Sequence, residues 1–156
     1  MRLALYQPDI PQNTGTILRL AACLGVPVDV IGPAGFDISD RNLRRAAMDY
    51  IDHVDLTRHL SWERYLAAKN ARGAGRLVLL STKAAQRLPS FRFSESDTLL
   101  LGRESAGVPD AVRDACDIAV AIPVRPPLRS LNVAVAASIV LGEALRQTNG
   151  YPPETV

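Results

Sequence analysis

Three short stretches concentrate the residues whose types and spacing suit chemistry. The first is QPDIPQNTGTILR, Gln7 to Arg19, in which Asn13, Thr14 and Gly15 open a helical pattern that carries Arg19. The second is LLLGRESAGVPDAV, Leu99 to Val112, where Gly102 and Gly107 flank Arg103, Glu104 and Ser105. Its glycines leave backbone N–H groups accessible around a carboxylate, which suits a polar ligand and equally a plain tight loop. The third is IPVRPPLRSLNVAVA, Ile122 to Ala136, with a Pro126-Pro127 corner between Arg125 and Arg129 and with Ser130 placed to cap the helix that follows. A guanidinium grips phosphate through two parallel N–H bonds and stabilises developing oxyanion charge. Helix capping accounts for Asn13 and Ser130, but not for the arginines beside them.

Each stretch begins in or follows an apolar run rich in leucine or β-branched residues. Such runs predict strands at Leu3 to Tyr6, Val28 to Ile31, Arg76 to Ser81, Thr98 to Gly102 and Ile118 to Ile122, with a weaker one at His53 to Leu56. Helical patterns fall at Thr14 to Leu24, Asp40 to Met48, Trp62 to Ala71, Pro109 to Ala115 and Leu131 to Gln147. Strand and helix alternate, which predicts an α/β fold with a mostly parallel sheet flanked by helices. Ligands in such sheets bind beyond the carboxyl ends of strands, so the three stretches can converge on one pocket. On the first helix Ile17, Leu20, Ala21 and Leu24 share a face, while Arg19 lies off it with Gly15 and Thr16.

The last helix is apolar nearly all round from Val133 to Leu141, which predicts burial on more than one side. Ala134, Ser138 and Gly142 place small residues four apart, so a homodimer seam through this C-terminal helix is expected. The two histidines, His53 and His59, are expected exposed at or beside a strand.

The chain of 156 residues is expected to form one domain over 1–156, with a loose tail at about 148–156. Composition is globular, at 47% hydrophobic and 22% charged residues. Two cysteines without CxxC or Cys/His spacing indicate neither a disulfide framework nor a metal site. The amino terminus lacks the pattern of a signal peptide, and the Val133 to Leu141 run is less than half of the roughly 20 residues a membrane span needs, so a cytoplasmic location without membrane attachment is expected. GxGxxG after the first strand, GxxxxGK[ST] and GxSxG are all missing, which argues against a classical dinucleotide fold, a P-loop or a serine hydrolase. A net charge of +2 is too mild to demonstrate a nucleic-acid partner by itself. Arg41, Arg44 and Arg45, at helical i, i+3 and i+4, make a basic edge suited to phosphates or to plain solvation.

Taken in series, Asn13-Thr14-Gly15 with Arg19, LLLGRESAGVP, and IPV followed by SLNVAVAAS resemble the three motifs of the SPOUT class of RNA methyltransferases. The chain is most similar to the small tRNA 2′-O-methyltransferases of the TrmL (YibK-like) family, which also carry an arginine-rich stretch like LRRAAMDY at Leu43 to Tyr50. The resemblance runs to about Gln147. It implies a C-terminal deep trefoil knot, a rarity among folds. It implies S-adenosyl-L-methionine as cofactor, cradled by Leu80, Ser81, Thr82, Gly102, Glu104, Gly107, Ile122, Ser130 and Leu131. It implies a catalytic set in which Arg19 lies by the acceptor ribose, Asn13 orients the nucleotide or Arg19, Glu104 fixes the cofactor loop or contacts the acceptor, and Asn132 holds motif geometry.

The implied substrate is the ribose 2′-hydroxyl of the wobble nucleotide 34, a C or modified U of leucine tRNAs; Arg41, Arg44, Arg45, Arg125 and Arg129 are the residues expected to meet the anticodon stem-loop. Action at another tRNA position or on rRNA is a second reading, and a non-catalytic RNA-binding module a third. The intact set of Asn13, Arg19, Glu104 and Asn132 argues against the third. One departure is Gly142, where family members often carry an aromatic.

Overall fold

Seven strands pair in parallel in the computed structural model, which describes residues 1–37, 39–73 and 75–154. They are β1 Arg2–Tyr6, β2 Val28–Ile31, β3 Leu56–His59, β4 Leu77–Leu80, β5 Gln86–Arg87, β6 Thr98–Leu101 and β7 Ile118–Ala121, in the order β3-β2-β1-β6-β4-β7-β5. The helices are α1 Pro11–Leu24, α2 Arg41–Ala47, α3 Trp62–Ala71, α4 Asp110–Asp114 and α5 Val133–Thr148. Period-two alternation divides the strands between two cores. Leu3, Leu5, Leu99, Leu101, Val78 and Val120 pack under α1 and α5, whereas Ala4, Tyr6, Leu77, Leu79 and Leu100 pack under α3 and α4. Burial on both faces is why the strands read as near-continuous apolar runs rather than alternating ones.

Four local expectations need correction, and one strand was not foreseen. The third strand is Leu56–His59 rather than His53 to Leu56, because a 3-10 turn occupies Met48–His53 after α2. Strand β5 is only two residues long, too short to leave a pattern in the sequence. Helix α1 begins at Pro11, whose fixed φ suits the first helical position, and its N-cap is Ile10 rather than Asn13. Helix α5 is capped by Asn132, whose side chain accepts from Ala134 N and Val135 N, and not by Ser130. His59 is buried, not exposed: its Nε2 lies 2.7 Å from Oδ1 of the fully buried Asp29. Arg2 and Arg72 also reach Asp29, so that while burial pushes its carboxyl up, hydrogen bonds from Arg2 and His59 and the arginine charges outweigh this and hold it below the usual range.

The carboxyl-terminal segment is partly tied down. Thr148 closes α5, and the Tyr151 hydroxyl donates to Gly142 O at 3.1 Å. Thr155 and Val156 lie outside the described residues. Among the described residues no helix is long and apolar enough to cross a membrane.

Candidate active site

The loops leaving the carboxyl ends of β1, β4, β6 and β7 enclose a cleft of about 590 Å³. That volume lies within the range of small-molecule sites. Its walls include Leu80, Ser81 and Thr82 after β4, Gly102, Glu104 and Gly107 after β6, and Ile122, Ser130, Leu131 and Asn132 after β7. Every residue expected to hold a cofactor therefore borders one space, together with Asn13 from α1.

The loop after β6 is closed on itself. Arg103 N donates to Gly107 O and Gly107 N to Arg103 O, both at 2.8 Å. Gly107 sits at φ 65°, and a Cβ on Gly102 would lie 2.7 Å from the Gly107 carbonyl carbon. Both glycines are therefore dictated by geometry: one by the left-handed backbone, the other by close approach.

A chain of side-chain contacts ties the three stretches together. Asn132 Nδ2 donates to Asn13 Oδ1 at 2.9 Å, and Asn13 Nδ2 donates to Glu104 Oε1 at 3.4 Å. Because Pro11 starts the helix and Ile10 caps it, the Asn13 amide is released from capping and free to make both contacts. The other carboxylate oxygen, Glu104 Oε2, accepts from Asp9 N at 3.0 Å. Asp9 in turn accepts from Glu104 N at 3.2 Å and from the Ser105 hydroxyl, and Arg103 Nε lies 3.5 Å from Asp9 Oδ2.

The family model of the SpoU rRNA methylase family matches residues 1–142. The chain belongs to that family. A protein of Beijerinckia indica named tRNA (cytidine(34)-2′-O)-methyltransferase is 63% identical over 145 residues, 93% of this chain and 90% of that relative. A solved structure described as "Structural insights into the 2-OH methylation of C/U34 on tRNA" superposes with a TM-score of 0.89 at 45% identity, covering 96% of both chains. The SpoU methyltransferase AviRb of Streptomyces viridochromogenes, solved in complex with the cofactor AdoMet, superposes with a TM-score of 0.85 at 32% identity over 94% of this chain and 57% of that one.

In this SpoU-family site the two carboxyl groups are pushed apart. Hydrogen bonding from Glu104 and Ser105 and the Arg103 charge lower Asp9 to about 2. Burial and the neighbouring Asp9 raise Glu104, although its bonds from backbone N–H groups and Asn13 oppose that rise. Asp9 was not among the residues expected from sequence. Its only signal there was its place in the turn that ends β1.

Arg19 does not line the cleft. It is exposed on α1, and the face it shares with Gly15 is not a free surface, because Gly15 is buried against α2: a Cβ there would lie 2.4 Å from Leu43 O. Arg41, Arg44 and Arg45 are exposed on α2, and Arg125 and Arg129 are exposed on the loop after β7. Of the small-residue stripe on α5, Ala134 turns inward, Gly142 is half-buried and Ser138 is exposed. Ala134 is 5% exposed and belongs to the chain's own core, whereas Val135 and Ile139, one helical turn apart, are 48% and 41% exposed. Among the described residues no cluster of His, Cys, Asp and Glu is arranged to hold a metal ion.

Proposed function

We propose that this chain transfers a methyl group from S-adenosylmethionine to the ribose 2′-hydroxyl of nucleotide 34 of tRNA. The observation that carries the reading is the Asn132–Asn13–Glu104 chain along one wall of a cleft bordered by all three family motifs. The tRNA enzyme of B. indica matches nearly end to end, which favours tRNA over rRNA as substrate.

The residues present fit the cofactor. Leu80, Leu101, Val120 and Ile122 offer apolar contact to a purine, the Gly102–Gly107 turn allows a ligand close to backbone, and Glu104 brings negative charge toward a sulfonium. When bound, S-adenosylmethionine supplies an electrophilic methyl carbon. The protein's part is to align the 2′-oxygen behind that carbon, so that the O–C bond forms as the C–S bond breaks and the hydroxyl proton leaves to solvent or a nearby acceptor. A ribose hydroxyl is a poor nucleophile at neutral pH, so positioning and electrostatic stabilisation carry most of the catalysis. Asn13, fixed at both ends of its amide, orients the nucleotide. Glu104 holds the cofactor loop to the β1–α1 turn. Arg19 grips the phosphate next to the acceptor ribose and stabilises developing negative charge on its oxygen.

Arg41, Arg44, Arg45, Arg125 and Arg129 supply the cationic surface for the anticodon stem-loop. The assembly is a homodimer through the outer face of α5, where Val135 and Ile139 expose apolar side chains. The protein forms one domain and works in the cytoplasm, and with the family comes the C-terminal trefoil knot.

Single-turnover methylation of unmodified tRNA with labelled S-adenosylmethionine tests the reading, with the product nucleotide mapped by nuclease digestion. Label at the 2′-oxygen of nucleotide 34 supports it. Label elsewhere, or none with protein that binds cofactor, overturns it. Arg19→Ala is expected to lower the rate on the order of 100-fold, as for loss of one oxyanion-stabilising donor.

A further inference from the structure

Arg19 has an unusual seat for an exposed arginine. Its guanidinium carbon lies 4.9 Å from the centre of the Tyr50 ring, and its NH1 donates to Met48 Sδ at 3.2 Å. Both partners come from the 3-10 turn that follows α2, and α2 is held hard against α1 by the close approach at Gly15, one helical turn before Arg19. Met48 occupies φ 55°, ψ −146°, a region that residues with a side chain rarely adopt. Core burial does not explain that conformation, since Met48 is 53% exposed. Strained backbone persists where its surroundings require it, and here the strained residue delivers a sulfur to the arginine.

We propose that Tyr50 and Met48 form a platform that holds Arg19 ready for the RNA phosphate, which makes Tyr50 a positioning residue for methyl transfer. The inference rests on the catalytic reading of Arg19. The chemistry of the seat favours it over a merely structural role. The guanidinium lies over the ring face, and among the described residues only its NH1 has a hydrogen-bond partner, which leaves its other N–H groups for a phosphate contact. The one N–H that is engaged meets a thioether, a weak acceptor that a phosphate oxygen displaces readily. A long side chain with many rotamers is thus held near one direction before the ligand arrives, so less freedom is lost on binding.

The test is a double-mutant cycle in single-turnover methylation of unmodified tRNA, with thermal melts and cofactor affinity measured on every variant. Tyr50→Phe keeps the ring face and is expected to retain the wild-type rate. Tyr50→Leu is expected to slow methyl transfer about tenfold with cofactor affinity unchanged, the scale of one cation–π contact and its ordering effect. In an Arg19→Ala background, Tyr50→Leu should cost nothing further, because the residue it positions is gone. Met48→Ala, which leaves the ring in place, should show a smaller loss of the same kind, and it keeps the proposal testable if Tyr50→Leu folds poorly. A normal rate for Tyr50→Leu and Met48→Ala beside an impaired Arg19→Ala overturns the platform and leaves the role of Arg19 standing. So does an equal Tyr50→Leu penalty with and without Arg19. A silent Arg19→Ala removes the catalytic reading and the platform with it.

Discussion

Asp9 and Glu104 cap one another across 95 residues of chain: Asp9 N donates to Glu104 Oε2 at 3.0 Å, and Glu104 N donates to Asp9 Oδ1 at 3.2 Å. This reciprocal pair fastens the turn after β1 to the loop after β6, and so fixes the α1 side of the cleft relative to its glycine loop. Two loops, each braced by its own backbone bonds, become one wall.

Asp9→Asn should weaken the wall in a pH-dependent way. The substitution removes a carboxylate oxygen that accepts from Ser105 and faces Arg103, and a cost of about 1–2 kcal/mol at pH 7 is expected for a charged hydrogen-bond acceptor with partial exposure. Because the folded protein lowers Asp9 from 3.8 to about 2, its stabilisation is complete above pH 4 and is lost as pH falls through that interval. Glu104 works in the opposite sense, since its proton is held more tightly in the folded state and its contribution is lost as pH rises past the ordinary Glu value through its raised folded one. Urea melts from pH 7 to pH 2.5 should show the gap between wild type and Asp9→Asn closing below pH 4. A gap that stays constant would mean that the carboxylate charge contributes nothing.

Gly102→Ala tests the loop itself. The added Cβ would lie 2.7–2.8 Å from the Gly107 carbonyl carbon and Cα, which are backbone atoms that cannot swing aside. Expected is a loss of about 1–3 kcal/mol in stability, the scale of overpacking, and at least a tenfold weaker affinity for S-adenosylmethionine by calorimetry. Added chelator should leave wild-type binding unchanged. Unaltered cofactor affinity in Gly102→Ala would place the ligand away from this loop.

Much of this arrangement was legible in the sequence, and the residues missed share a reason. Strands β1, β2, β4, β6 and β7 follow from apolar runs, and Gly102 and Gly107 from their spacing around polar residues. The contact between Asn13 and Asn132 spans 119 residues, so local pattern makes caps of Asn13 and Ser130, whereas Ile10 caps α1 and Asn132 caps α5. Asp9 and His59 were missed for the same cause, since both are fixed by partners remote in sequence, Glu104 in one case and Asp29 in the other. The wheel put Arg19 off the core correctly, but only the docking of α2 on Gly15 reveals that its face is a helix junction.

The exposed stripe of α5 separates two kinds of substitution. Val135→Lys combined with Ile139→Lys should convert a dimer to monomers by light scattering while leaving the melting temperature of the monomer fold largely intact, because both side chains point outward. Ala134→Leu should instead destabilise by about 1–3 kcal/mol through overpacking, since Ala134 is already 5% exposed within the chain's own core. A wild-type protein that runs as a monomer would remove the proposed seam.

Asn132 allows stability and catalysis to be separated at one position. Its Oδ1 caps α5 through Ala134 N at 2.8 Å and Val135 N at 3.3 Å, while its Nδ2 reaches Asn13. Asn132→Asp keeps an equally good capping oxygen and adds a charge that the helix N-terminus favours, so the melting temperature should be unchanged or slightly raised. Asn132→Ala loses the cap and should cost about 1 kcal/mol, roughly 2–4 °C in a domain of this size. Turnover should respond differently. Neither variant can donate to Asn13, and if the Asn13 amide turns to satisfy an aspartate it gives up its donation to Glu104 at 3.4 Å. Both variants should therefore lose about tenfold in single-turnover rate, the scale of one hydrogen bond that orients a reacting group. Full activity in Asn132→Asp, with reduced stability in Asn132→Ala, would reduce Asn132 to a helix cap and detach α5 from the chemistry.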